Sequence, residues 1–287
     1  MRTAGALALA LAALPSGGAA RPAPARVMSL NQCADQIVLA LLPPSRIASV
    51  TWLSRDPESS VMAKAALRVG INHGQAEEVV RQKPDLVIAG SFTTPATRAL
   101  LTKLGYPMIE VNEAASFDDI RAVTRQIAAA VGERARGEAL IRHMDGELAA
   151  LAREAVKPVR VAAWDGAGFS AMKGSLYDAV LGVAGAVNVA DVPPAANYGE
   201  PDAEVLLAAA PDLLLQGAPG SNYPGLRDDV ARHPLVRRYW ADRMVTVKPT
   251  VYFCGTPFAA DGARMLRQDI QAAAARPHAP LPFRRTR

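Results

Sequence analysis

The chain has 287 residues, of which 50% are hydrophobic and 21% are charged, and its formal net charge is +5. This length and composition exclude a disordered chain and a single small domain, and they predict two lobes that each bury a core. The basic residues are scattered along the chain, so the positive charge does not indicate a nucleic-acid-binding surface.

The N-terminal segment has the pattern of a secretion signal. Arg2 precedes an apolar run over residues 4–14, and small residues suited to cleavage follow. The run is too short to cross a bilayer as a stable helix, and no cysteine lies nearby to accept a lipid. We therefore expect a signal peptide at residues 1–20, with cleavage after Ala25 as the alternative, and a mature protein that diffuses freely in the periplasm.

Short β-branched runs alternate with helical patterns along the rest of the chain. The predicted strands cover residues 26–30, 47–50, 86–89 and 108–111 in the first half and residues 159–164, 213–216 and 244–247 in the second. Between them, residues 117–156 are helical almost throughout, with a break at Gly132. This alternation predicts an α/β fold of two lobes, each with a mainly parallel sheet flanked by helices, joined by one long connecting helix. The predicted parts are an N-terminal lobe at residues 26–131, a connecting helix at residues 132–156, a C-terminal lobe at residues 157–273 and a flexible tail at residues 274–287.

One pattern occurs twice in the sequence. Residues 77–88 and residues 204–215 each begin with an acid, continue as a helical stretch and pass through Pro-Asp into an apolar run. An acid suits the positive end of a helix, proline ends the helix, and the apolar run is typical of a buried parallel strand. The repeat therefore predicts two lobes of one design.

The repeat and its surroundings resemble the helical-backbone class of periplasmic binding proteins, which includes the vitamin B12, ferric-siderophore and haem carriers of ABC importers. The resemblance covers nearly the whole mature chain and rests on the first strand at residues 26–30, the Pro-Asp run at residues 84–90, the turn at residues 104–107, the helical middle and the second Pro-Asp-Leu block. It implies a metal chelate bound in a cleft between the lobes. It also implies contact with an ABC permease through one acid of each lobe, at positions matched by Glu77 and Glu204, with Glu78 as the alternative in the first lobe.

The loops that follow predicted strands are expected to line the cleft, because ligands of parallel sheets bind beyond the carboxyl ends of the strands. The predicted ligand-binding residues are Trp52, Arg55, His73, Phe92, Thr93, Trp164, Phe169, Tyr198, Tyr223 and Tyr252. Aromatic residues are only 5% of the chain, and their concentration in these loops suits a flat or greasy chelate, although each ring has the alternative of plugging the lobe interface. His73 is a candidate ligand for haem iron, and Arg55 is a candidate partner for an anionic ferric complex.

The two cysteines are Cys33 and Cys254. An even number of cysteines in an exported chain is compatible with a disulfide and equally with two small buried thiols, because the sequence does not give the geometry that a bridge requires.

Two other functions remain as alternatives. A carrier of a bare divalent metal ion on the same fold would need several histidines and carboxylates in the cleft, where the predicted loops offer one histidine. An enzyme would need a nucleophile, a base and an orienting acid, and the sequence shows no motif that supplies them; His143, His233 and His278 show no metal-ligand spacing. We therefore expect a monomeric binding protein with no catalytic residue, cofactor or nucleic-acid partner.

Overall fold

A computed structural model describes residues 22–165, 168–169, 171–193, 195, 203–217 and 233–283 of the chain. The predicted signal peptide at residues 1–20 lies outside the described residues. Of the helices in the described part, none combines the length and the apolarity needed to cross a membrane.

The first half of the chain forms one parallel sheet. Its strands are β1 (Val27–Ser29), β2 (Ile47–Thr51), β3 (Gly70–Asn72), β4 (Leu86–Gly90) and β5 (Met108–Val111), and its helices are α1 (Gln32–Leu41), α2 (Ala63–Ala66), α3 (Ala76–Gln82) and α4 (Pro95–Lys103). The strand order is β3-β2-β1-β4-β5, and every pairing is parallel. Strand β4 is buried along its whole length, as expected for a parallel strand covered on both faces.

The second half repeats this arrangement. Its described strands are β6 (Val159–Asp165), β7 (Gly168–Phe169), β8 (Ala186–Asn188), β9 (Leu213–Gly217) and β10 (Met244–Val247), and its described helices are α7 (Leu176–Val183), α8 (Ala203–Ala209), α9 (Pro234–Trp240) and α10 (Ala259–Ala274). Strands β8, β6, β9 and β10 pair in parallel, and β7 pairs antiparallel with the end of β6. The predicted α/β class with mainly parallel sheets is confirmed.

In the sequence, two helices separate the strands of the first sheet from those of the second. They are α5 (Phe117–Ala130) and α6 (Arg134–Arg153). Gly132 adopts a positive φ of 77° in the turn that separates them, a conformation that favours glycine. Both helices contribute to both cores. In the core of the second half, α5 contributes Ile120 and α6 contributes Leu151. In the core of the first half, α5 contributes Ile127, and Leu140 of α6 packs against this core. The long connection is therefore a helical hairpin that runs along both lobes, and the predicted lobe boundaries stay a prediction.

The repeated Pro-Asp segment has the same structural role in both halves. The Asp85 carboxylate accepts a hydrogen bond from the backbone N–H of Arg26 at 2.8 Å, and the Asp212 carboxylate accepts one from that of Arg160 at 3.1 Å. Each arginine side chain in turn donates to the last carbonyl of the preceding helix, α3 or α8, at 2.8 Å. Helix, turn and the neighbouring strand are thus tied together by one set of contacts in each sheet.

The C-terminal segment corrects one expectation. The predicted flexible tail begins at residue 274, but Leu281 is buried and the Phe283 ring lies 5.1 Å from the Tyr239 ring and 5.6 Å from the Trp240 ring. The two apolar side chains bury themselves against α9, which anchors the described part of the tail. Residues 284–287 lie outside the described residues.

Candidate ligand-binding cleft

Exposed aromatic rings lie at the carboxyl ends of the first sheet. Trp52, which begins the turn after β2, is 51% exposed, and Phe92, in the loop after β4, is 77% exposed. The Trp52 ring stacks on the imidazole of His73, after β3, with the ring centres 6.3 Å apart. We call Trp52, His73 and Phe92 the aromatic surface. Because β2, β3 and β4 are parallel, the loops that carry these residues lie on one edge of the sheet, where a ligand would bind.

A buried carboxylate holds the Trp52 turn in place. Asp35 of α1 is fully buried, and its Oδ2 accepts hydrogen bonds from the Thr51 N–H at 2.9 Å, the Thr51 hydroxyl at 2.5 Å and the Ser54 hydroxyl at 2.7 Å. Burial raises the pKa of Asp35 to about 6, although hydrogen bonds from Ser29, Thr51 and Ser54 oppose the rise. Thr51 and Ser54 flank Trp52, so Asp35 positions the ring. Asp35 was not predicted from the sequence, although it is the one charged residue of a helix in which the other polar residues are Gln32 and Gln36.

His73 is oriented by Glu78. The Glu78 carboxylate accepts the backbone N–H of His73 at 2.7 Å and lies 3.3 Å from the ring Nδ1. Partial burial opposes ionisation of Glu78, but the hydrogen bonds from His73 and Gln75 outweigh it and lower the pKa of the carboxyl. Glu78 also completes the capping box of α3. With Nδ1 turned to Glu78, Nε2 is the ring nitrogen suited to a metal in a ligand.

Two other predicted ligand-binding residues support the loops through the main chain. The Arg55 guanidinium donates to the carbonyls of Ala66 at 3.3 Å and Val69 at 2.8 Å. Thr93 is 5% exposed, and its hydroxyl accepts the N–H of Gly90 and donates to the carbonyl of Leu30, both at 3.1 Å. The Arg55 contacts tie the turn after β2 to the segment between α2 and β3, and the Thr93 contacts join the ends of β1 and β4. Direct contact of Arg55 or Thr93 with a ligand stays a prediction.

The predicted residues of the second half are placed differently. Trp164 does not face the cleft in this structure, because it is fully buried in a core with residues of β9 and α9, and β7 covers the end of its strand. Tyr252 is half-buried and stacks on Tyr177, with the ring centres 3.9 Å apart. Phe169 pairs with Trp164 through its backbone, and its side chain is outside the description. Tyr198 and Tyr223 lie outside the described residues.

One exposed ring of the second half lies beside a covalent link between the lobes. Phe253 is 57% exposed and precedes Cys254, which forms a disulfide with Cys33 of α1 across a Cα–Cα distance of 5.0 Å. A cavity of about 230 Å³ lies next to this bond, lined by both halves. It is smaller than the roughly 300–1,000 Å³ of most ligand pockets. A chelate the size of a corrin would therefore lie over the exposed rings, outside this cavity.

The two predicted permease-docking acids occupy equivalent positions. Glu77 lies in the first turn of α3 and Glu204 in the first turn of α8, and both are exposed. Since α3 and α8 carry the repeated segment, the two acids come from matching places in the two sheets.

Among the described residues, one group of potential metal ligands comes together. His143 and Glu147 of α6 meet Asp261 of α10, with His143 Nε2 3.0 Å from the Asp261 carboxylate. The four-residue spacing of His143 and Glu147, which places both on one helix face, was not recognised as a ligand spacing in the sequence. However, Arg264 lies 2.8 Å from the Glu147 carboxylate and 3.5 Å from that of Asp261, so a cation already pairs with both acids. The group lies on helices rather than on strand-end loops and does not favour a bare metal ion as the cargo.

Comparison with known proteins agrees with this architecture. A curated relative, described as an uncharacterized ABC transporter substrate-binding lipoprotein of Bacillus subtilis (strain 168), is 27% identical over 128 residues, which is 44% of this chain and 40% of that protein. The solved haem-binding protein RhuT from Roseiflexus sp. RS-1 is similar with a TM-score of 0.70 and 25% identity over 87% of this chain and 98% of its own. The vitamin B12-binding protein BtuF of Vibrio cholerae has the same fold, with a TM-score of 0.62 and 18% identity over 88% of this chain and 99% of its own.

The match to a family model decides the assignment. The model described as "Periplasmic binding protein" matches residues 27–247, from β1 to the end of β10, and so includes both sheets, the α5–α6 hairpin and the aromatic surface. The solved relatives with this fold are binding proteins rather than enzymes. The chain belongs to the periplasmic binding protein family.

Proposed function

We propose that the protein is the periplasmic substrate-binding component of an ABC importer and that it binds a metal chelate, a ferric siderophore, corrinoid or haem, in the cleft between its lobes. The observation that carries this proposal is the aromatic surface. Large exposed rings on the ligand-binding edge of a sheet favour a ligand with an extended apolar face, because they leave water when it binds. A bare metal ion would gain nothing from Trp52 or Phe92.

Among the three chelates, haem has the most support. His73 presents an imidazole beside the Trp52 ring, and imidazole nitrogen is a common axial ligand of haem iron. The similarity to a haem-binding protein across 87% of the chain points the same way. A corrinoid would instead stack on the rings without a bond from the protein to the metal, and a ferric siderophore would require cationic side chains in the cleft.

Delivery to the importer is assigned to the two exposed acids. Glu77 and Glu204 would each contact a cationic pocket of the permease, and both contacts can form only when the lobes have the correct spacing. The similarity to an ABC transporter substrate-binding lipoprotein supports such a partner. The proposal also includes export to the periplasm, directed by a signal peptide that is then removed, and a monomeric mature protein.

The test is a titration of the purified mature protein with haemin, cyanocobalamin, ferric siderophores and free divalent metal ions, followed by tryptophan fluorescence. One chelate should quench the emission saturably at submicromolar concentration, about −8 kcal/mol or tighter. The variant Trp52→Phe should lose most of the quenching, whereas Trp240→Phe, which alters a buried ring, should retain it. Saturable binding of a free metal ion, or binding of none of the compounds, would overturn the proposal.

A further inference from the structure

The disulfide connects the rigid parts of the two lobes. Cys33 lies in the first turn of α1. The residue that follows it, Ala34, belongs to the core of the first half. Cys254 is buried and lies between Val251 and Ala259, which both belong to the core of the second half. The bond therefore joins two packed cores and not two mobile loops.

The surroundings of the bond fix its ends. The Asn31 side chain caps α1 by accepting the N–H groups of Cys33 at 3.0 Å and Ala34 at 2.9 Å. On the other side, Gly255 packs so closely on the segment leading to α5 that an added Cβ would lie 2.9 Å from the carbonyl oxygen of Ala114. The backbone at Gly255 therefore leaves no room for a side chain at that position.

We propose that the Cys33–Cys254 disulfide is a positioning element of the cleft, which limits how far the lobes separate and holds the segment that carries Phe253 beside α1. A disulfide holds its two Cα atoms within a few ångströms of each other, so the lobes cannot separate at this point and only rotation remains. Among the described residues, one ion pair also links the two halves, that of Lys248 with Glu58 at 3.5 Å. That pair is exposed, and exposed pairs contribute little.

The tether affects affinity through the population of binding-competent molecules. If the lobes of the untethered protein open widely, the competent fraction falls and the apparent dissociation constant rises in proportion. We expect removal of the bond to weaken chelate binding about threefold to tenfold, because fewer free molecules are competent to bind and because a complex whose lobes can separate also releases the chelate faster. This part rests on the proposed function, whereas the limit on lobe separation does not.

The first experiment measures lobe separation without any ligand. Fluorophores are attached through p-acetylphenylalanine at Lys64 and Arg237, exposed positions in the first and second halves, and single-molecule energy transfer is recorded for the parent chain and for C33S/C254S. The parent should give one narrow distribution, and the variant should give a broader one that extends to longer distances. Superimposable distributions would overturn the inference while leaving the chelate hypothesis intact.

A second arm avoids dependence on folding of the double variant. The labelled parent protein is treated with a phosphine reductant under native conditions, and circular dichroism at the same temperature verifies that it stays folded. Energy transfer should then broaden, and haemin, used as the probe, should dissociate faster than from the oxidised sample. Faster release without broadening, or no change in either quantity, would contradict a positioning role.

Discussion

Asp35 is a carboxylate with no solvent access at a place where the protein needs a fixed loop. Burial raises its pKa from 3.8 to about 6, so between these pH values the folded chain holds a proton that the unfolded chain has released. The contribution to stability is therefore greatest below about pH 4 and falls as the pH rises through 6, by about 3 kcal/mol at most. Above pH 6 the folded protein carries the Asp35 charge and is less stable by this amount. The carboxylate accepts three hydrogen bonds from Thr51 and Ser54, which would otherwise lack an acceptor.

The variant Asp35→Asn should remove this pH dependence, because the amide keeps an acceptor oxygen but carries no charge. We expect urea unfolding of the parent chain between pH 4 and pH 7 to show a fall in the free energy of unfolding that the variant lacks. The difference between the two profiles isolates Asp35 from the other titrating groups. Parallel profiles would show that the carboxyl does not titrate in this range.

His73→Ala tests whether the protein supplies a ligand to haem iron. Loss of the imidazole should shift the Soret band of the haemin complex and weaken binding about tenfold, because the iron loses a nitrogen ligand. His143→Ala removes an imidazole from α6 and should change neither quantity. An unaltered spectrum in His73→Ala would assign the iron ligand to another residue or exclude haem.

At the scale of elements, the backbone conformation at the ends of α3 and α8 explains why each copy of the repeat passes from helix to strand through Pro-Asp. The residue before each Pro-Asp pair adopts a left-handed conformation, with φ of 48° at Lys83 and 44° at Ala210. This conformation turns the chain sharply from helix to strand. It also brings the aspartate side chain within hydrogen-bonding distance of the backbone where the neighbouring strand begins. It costs a residue other than glycine roughly 1–2 kcal/mol.

Lys83→Gly should therefore stabilise the protein by about 0.5–1 kcal/mol, because glycine adopts a positive φ without strain but loses more entropy on folding. Lys83 is exposed, so no packing is lost. Lys83→Ala keeps the strain and serves as the control, with no gain expected. Chemical denaturation of the three proteins measures the difference, and equal stability of the glycine and alanine variants would contradict the explanation.

The elements that sequence predicts well are those fixed by local patterns. The buried runs at β4 and β9 and the Pro-Asp turns are specified within a dozen residues, so the repeat identified two lobes of one design. Helix α5 was different, since its half-and-half packing against two cores depends on residues far away in the chain. The periodicity of residues 117–156 showed helices but not which core each face would meet.

Side-chain roles at the cleft depended on such distant contacts as well. Trp164 was expected at the cleft because it ends a predicted strand, yet its ring packs in a core with residues of β9 and α9. Those residues are distant in the chain, so the sequence of β6 does not show that they bury the ring. Thr93 was expected at the ligand, but its hydroxyl bonds the ends of two strands. Asp35 was overlooked because its partners, Thr51 and Ser54, approach only when β2 lies beside α1.

For the whole molecule, the distance between Glu77 and Glu204 would determine whether both acids can contact the permease at the same time. Glu77→Lys and Glu204→Lys should each lower ligand uptake by intact cells about tenfold while leaving chelate affinity unchanged, because both side chains are exposed and belong to helices rather than to the aromatic surface. Asp269→Lys reverses an exposed acid on α10 and serves as the control. Unimpaired uptake by the Glu77→Lys and Glu204→Lys variants would move the docking surface elsewhere.

The disulfide also constrains how the chain matures. The two cysteines are separated by 221 positions, so during export Cys33 would reach the oxidising compartment long before its partner. A chain with two cysteines has a single intramolecular pairing, which means that no isomerase is needed to correct a wrong bridge. The one incorrect pairing that remains is a disulfide between two molecules. Slow export, or refolding at high protein concentration, would therefore produce covalent dimers rather than monomers with a wrong disulfide.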